Sequence, residues 1–85
     1  MFQFISDPGH GWLEVSAADL RALNLRPENF SRYSYRKGAD LFYLEEDCDA
    51  GTFLRAWESK NGRKPAIKDR YEANTPIRRL PSILS

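Results

Sequence analysis

What this sequence is short of narrows it first. It has one cysteine, Cys48, so no disulfide can form within the chain, whereas a secreted domain of this size is usually held by several. Apolar runs end after four residues at most, far short of a signal-peptide core or a membrane span. These absences point to the cytoplasm, with no membrane association. There is one histidine, His10, and there is no glycine-rich phosphate loop, no zinc-type Cys/His spacing and no nucleophile elbow. The common enzyme classes built on those motifs are thereby excluded. Binding, rather than catalysis, is the expected activity, and neither a cofactor nor a metal is expected.

What is present is enough for one hydrophobic core and not for two: 85 residues, 13% of them aromatic. The formal net charge is only +1, but it is unevenly placed. Residues 1–54 carry five basic and nine acidic side chains, and residues 55–85 carry eight basic and three acidic ones. Such polarity fits either two partner surfaces or two halves that attract each other.

The pattern of apolar residues predicts the order β-β-α-β-β-α-β. Phe2 and Phe4 alternate with polar neighbours, and Trp12–Val15 reads as the returning strand of a hairpin. Between them Asp7-Pro8-Gly9 is turn chemistry: proline fixes φ, glycine tolerates unusual backbone angles and aspartate bonds back to the chain. Ser16 with Asp19 three residues on resembles a capping box at a helix start, and Pro27 forbids that helix from continuing. Phe30–Arg36 alternates as a strand, with Tyr33 and Tyr35 together and directed inward. Leu41–Glu45 is the strongest strand, and Ala50, Phe53, Leu54 and Trp57 form one helical stripe stopped at Gly62. Pro65–Tyr71 reads as a last strand. The fold class is therefore α+β: an antiparallel sheet of four to five strands with two helices on one face. Residues 1–73 are expected to form the compact domain, and residues 74–85 an irregular, mobile C-terminal tail.

Several residue groups invite a functional reading. His10 lies between two glycines in the first turn, where a loop side chain is free to meet a partner. Glu45, Glu46, Asp47 and Asp49 crowd the entry to the second helix. Asp47 or Asp49 suits the role of cap, which leaves acids to spare for a partner. Asp47, Asp49, Gly51 and Glu58 only faintly echo a calcium loop, because the glycine falls one place early. Cys48 reads as a small buried thiol, although a nucleophile pair with His10 is the form that an unfamiliar enzyme would take. Tyr33, Tyr35, Arg36 and Lys37 interleave aromatic and basic groups as nucleic-acid surfaces do, and Arg78 and Arg79 add charge in the tail.

Three stretches carry a resemblance. Asp7-Pro8-Gly9-His10-Gly11-Trp12-Leu13-Glu14-Val15, Tyr33-Ser34-Tyr35 and Tyr43-Leu44-Glu45-Glu46-Asp47-Cys48-Asp49-Ala50-Gly51 resemble the signature stretches of small accessory proteins of bacteriophages and prophages. The likeness spans residues 3–57 and leaves the tail out. It implies a mobile-element origin and a role like that of anti-CRISPR proteins, which bind and disable host defence complexes. It assigns a role to no residue. On that reading His10, Glu45, Glu46, Asp47 and Asp49 meet a basic groove on a host defence protein or nuclease complex, in the host cytoplasm, with the protein as monomer or homodimer. The alternatives are a nucleic-acid binder using Tyr33, Tyr35, Arg36, Lys37, Arg78 and Arg79, or an enzyme using His10 and Cys48.

Overall fold

A computed structural model describes all 85 residues. The strands are β1 (Phe2–Ser6), β2 (Gly11–Ser16), β3 (Tyr35–Lys37), β4 (Leu41–Glu45) and β5 (Ile67–Tyr71). The helices are α1 (Ala17–Ala22) and α2 (Asp49–Asn61), with short 3-10 turns at Pro27–Asn29 and Pro76–Arg79. This is the α+β order read from the sequence. The five strands form one sheet in the order β3-β4-β2-β1-β5.

The sheet is mixed rather than wholly antiparallel, because β5 runs parallel to β1. The cause is α2. Its 13 residues span about 20 Å and carry the chain back along the sheet, so the next strand starts from the end where β4 started. That strand must run parallel to β4, and β4, one antiparallel step beyond β2, runs parallel to β1.

Local chemistry explains most boundaries. Ser16 and Asp19 close the expected capping box, with Asp19 N donating to Ser16 Oγ at 3.0 Å and Ser16 N donating to Asp19 Oδ2 at 2.8 Å. Gly62 ends α2 in the left-handed conformation, φ 70°, that a side chain resists. Gly11 faces the ring of Phe4, and a Cβ there would lie 2.5 Å from a ring carbon, so any side chain at the first residue of β2 would have to push that ring aside. Phe30–Arg36, by contrast, is not one strand. Asp49 draws residues 31–34 into a turn, and only Tyr35–Lys37 pairs with β4. Tyr33 therefore stands 60% exposed outside the sheet instead of inward beside Tyr35.

The two sheet faces are covered differently. On one, Leu13, Val15, Phe42 and Leu44 pack under both helices through Leu20, Ala50 and Phe53. On the other, Ile5, Trp12 and Tyr43 are covered by Ile77, with Leu80 and Tyr35 alongside. That cover is the C-terminal segment expected to be mobile. It crosses the open face, pairs with β3 through Arg36 N to Pro81 O and Ile83 N to Ser34 O, and sinks Ile83 into the main core. The accessible surface of 5363 Å² is close to the roughly 5,200 Å² expected for a compact chain of this mass, so the tail adds no loose surface. Its prolines prevent regular structure but not burial.

Candidate functional site

At one end of the sheet, on the tail-covered face, three segments converge: the β1–β2 turn, the entry to α2 and the turn before β3. The cleft between them has a volume of about 480 Å³ and is lined by His10, Trp12, Ser31, Tyr33, Tyr35, Glu45, Asp47, Cys48 and Arg78.

The first wall is built around Asp7. Its Oδ1 accepts the backbone N–H groups of Gly9 at 2.9 Å and His10 at 2.8 Å, the aspartate turn that the sequence predicts. Both carboxylate oxygens then accept from Arg78, Nε at 2.6 Å and Nη2 at 2.9 Å. The Asp7 side chain is nearly buried while that of Arg78 is half exposed. The guanidinium lies 5.7 Å from the Trp12 ring centroid, within reach of a cation–π contact. The hydrogen bond from Arg78, helped by the N–H groups of His10 and Gly9, outweighs burial and holds the Asp7 carboxyl far below the usual carboxylate range.

The sign of the linked stability follows from that depression. The ionised carboxylate stabilises the fold at every pH above its unfolded value of about 4 and loses that effect as pH falls through the lower folded value. Asp7→Asn should therefore lower the thermal midpoint at neutral pH. Its deficit against the parent should shrink progressively from about pH 4 downward, a comparison that calorimetry across pH makes directly. A constant deficit across that range would mean that Asp7 acts without its charge.

The second wall is the acidic run. Its four carboxylates have separate fates. Glu45, not Asp47 or Asp49, caps α2: its carboxylate accepts from the N–H groups of Asp47 (2.9 Å), Cys48 (2.7 Å) and Asp49 (3.2 Å). Asp47 is exposed at the cleft rim. Glu46 is exposed beside Gly11, outside the lining. Asp49 is no surface acid at all: it is 5% exposed and accepts from Ser31 N, Ser31 Oγ and the fully buried Ser34 Oγ. Because α2 begins at Asp49, this run forms a helix entry and not a calcium loop, and no three His, Cys, Asp or Glu side chains gather as a metal site.

The third wall is aromatic. Trp12 and Tyr35 meet edge to face at 6.3 Å, His10 lies 6.1 Å from Trp12, and Tyr33 carries the Arg32 guanidinium 5.3 Å from its ring. Cys48, expected to be buried, is exposed at the same cleft. His10 and Cys48 are thus neighbours of one cavity, but the hydrogen bonds of each run through its backbone, to Asp7 for His10 and to Glu45 and Thr52 for Cys48, and none joins imidazole to thiol. Both lack the partner that would activate a nucleophile.

The structure therefore gathers His10, Glu45, Asp47, Tyr33, Tyr35 and Arg78 in one place and leaves Glu46, Asp49, Arg36, Lys37 and Arg79 outside it. Arg36 lies on β3 with a buried, unpartnered Nε and donates from Nη1 to Gly38 O, and Lys37 is exposed at the end of that strand. The sequence marks Trp12 only as core, and nothing in it marks Ser31 or the Asp7–Arg78 pair, whose members are 71 positions apart. Comparison with known protein families, with curated proteins and with solved structures finds nothing that matches this chain.

Proposed function

We propose that this protein is a binding protein whose cleft receives a basic side chain from a partner protein. One observation carries the reading: aromatic rings and acidic groups meet in a single cavity. The lining carries Glu45 and Asp47 against Arg78, and the nearly buried Asp7 carboxylate behind it already neutralises Arg78. A cation entering there gains ring faces and a negative field together. The same excess of carboxylates repels phosphate, which disfavours the nucleic-acid reading of Tyr33 and Tyr35.

The phage-accessory resemblance supplies a setting. A host defence or nuclease complex exposes a basic groove where it holds nucleic acid, and an inhibitor of anti-CRISPR type that occupied this groove would need a cleft of this chemistry. The host cytoplasm is the corresponding compartment. No helix is long and apolar enough to cross a membrane.

The test compares a capped hexa-arginine peptide with a single-stranded DNA dodecamer, following tryptophan fluorescence. The peptide should bind saturably and release with salt. Asp47→Asn should weaken it two- to five-fold, corresponding to about 0.5–1 kcal/mol for an exposed charge pair. Tyr33→Ala should weaken it by a similar factor through the lost ring face. Tighter binding of the DNA, or a peptide affinity indifferent to both substitutions, overturns the proposal.

A further inference from the structure

The two edges of the sheet are treated differently. The β3 edge is closed by the C-terminal segment, which pairs with it at Tyr35 and Ser82. The β5 edge is open, and all five residues of β5 are exposed. Phe2 N donates to Ala66 O, and Glu72 N donates to Ser6 O. In a parallel ladder these bonds turn the backbone of Ala66, Lys68, Arg70 and Glu72 toward β1. The N–H and C=O groups of Ile67, Asp69 and Tyr71 therefore face outward, unpaired. The side chains of the same three residues stand on the helix face, with Ile67 41% and Tyr71 63% exposed. Lys68 and Arg70 stand on the opposite face, where Arg70 is held by Gln3 and Glu72.

We infer that the β5 edge is a second docking site, which takes an acidic extended segment of a partner protein as a sixth strand. Unpaired edge groups are a template for strand addition, with backbone bonds giving affinity and alternate side chains giving selectivity. The charges choose the occupant. The stretch leading into and along β5 carries Arg63, Lys64, Lys68 and Arg70 against Asp69, and even with Glu72 just past its end, paired to Arg70, the basic groups are in excess. A second copy of this chain is a poor fit, since two-fold pairing centred on Asp69 sets Asp69 against Asp69 and Lys68 against Arg70. Charges of this kind protect an edge from self-association while leaving it open to a complementary strand. A nucleic acid would use the basic side chains but leave the three outward backbone pairs and the flanking Ile67 and Tyr71 unused. The site shares no residue with the cleft, so either proposal can fail alone. Together they give the polarity of the chain a function: an acidic cleft at one place and a basic edge at another.

The experiment is residue-resolved hydrogen exchange on the intact protein. The probes are a capped octapeptide alternating glutamate and valine, its lysine–valine counterpart, and an octathymidine strand. The glutamate peptide should slow exchange at the amides of Ile67, Asp69 and Tyr71 at least about ten-fold at saturation, and the lysine peptide should not. Asp69→Pro removes one outward N–H without touching the β1 ladder and should abolish the protection. Lys68→Glu, which leaves the backbone intact, should reverse the preference between the peptides. Three results would overturn the inference: no protection from the glutamate peptide, protection that rises with protein concentration alone (a second copy), or tighter binding by the oligonucleotide.

Discussion

A chain ending at residue 73 should not fold. The segment it lacks buries Thr75, Ile77 and Ile83, roofs Ile5, Trp12 and Tyr43, supplies the Arg78 partner of Asp7 and closes the β3 edge. The total stability of a domain this size is only about 4–13 kcal/mol. Truncating one buried isoleucine to alanine costs about 2–5 kcal/mol, and here two are lost outright together with the cover of Ile5, Trp12 and Tyr43. The loss is therefore of the same size as the whole margin. Circular dichroism should show a mostly unstructured 1–73 chain with no cooperative urea transition. As a graded companion, Ile83→Ala in the full chain should fold but lose about 2–5 kcal/mol. A 1–73 fragment that melts cooperatively near the parental midpoint would show that the second sheet face needs no cover.

What the sequence makes legible here is local chemistry. The Asp7 turn, the Ser16–Asp19 capping box, the α2 stripe and the Gly62 stop each depend on residues within a few positions of one another, and each is found as the pattern predicts. What it hides depends on pairing between distant segments. Asp7 and Arg78 lie at opposite ends of the chain, and no periodicity links them. The parallel placement of β5 was readable in principle, since a strand-helix-strand order with a 13-residue helix forces it. The tail misleads because Pro76 and Pro81 argue correctly against regular structure, while isolated Ile77 and Ile83 carry no pattern from which burial is read.

The candidate site was legible as parts and not as a whole. His10, the 45–49 run and the Tyr33/Tyr35 pair were recognisable as unusual segments serving rival functions. The fold sets them around one cavity, where their chemistries constrain one another. Acids that seemed surplus to capping turn out to be divided: Glu45 caps, Asp49 is structural, and only Asp47 remains free at the rim.

That division makes Asp49→Ala the second large effect. One carboxylate oxygen, Asp49 Oδ2, accepts from Ser31 N at 2.9 Å, Ser31 Oγ at 2.8 Å and Ser34 Oγ. Ser34 Oγ in turn accepts from Glu45 N at 3.0 Å, so the α2 entry, the 31–34 turn and the end of β4 share this one anchor. Each hydrogen bond to a charged group is worth about 1.5–3 kcal/mol, and stranding buried donors adds to the loss. Their contributions overlap, so about 3–5 kcal/mol is expected from urea unfolding. Asp49→Asn keeps an acceptor oxygen and should recover part of this. Cleft and core are coupled through the same turn, because Ser31 lines the cleft and Tyr33 N donates to Ser31 Oγ. Asp49→Ala should thus weaken hexa-arginine binding by freeing the Tyr33 wall, in proportion to the stability it removes. Asp47→Asn should weaken binding at unchanged stability. If the two acids instead shift stability and affinity alike, the separation of scaffold from contact within the 45–49 run does not hold.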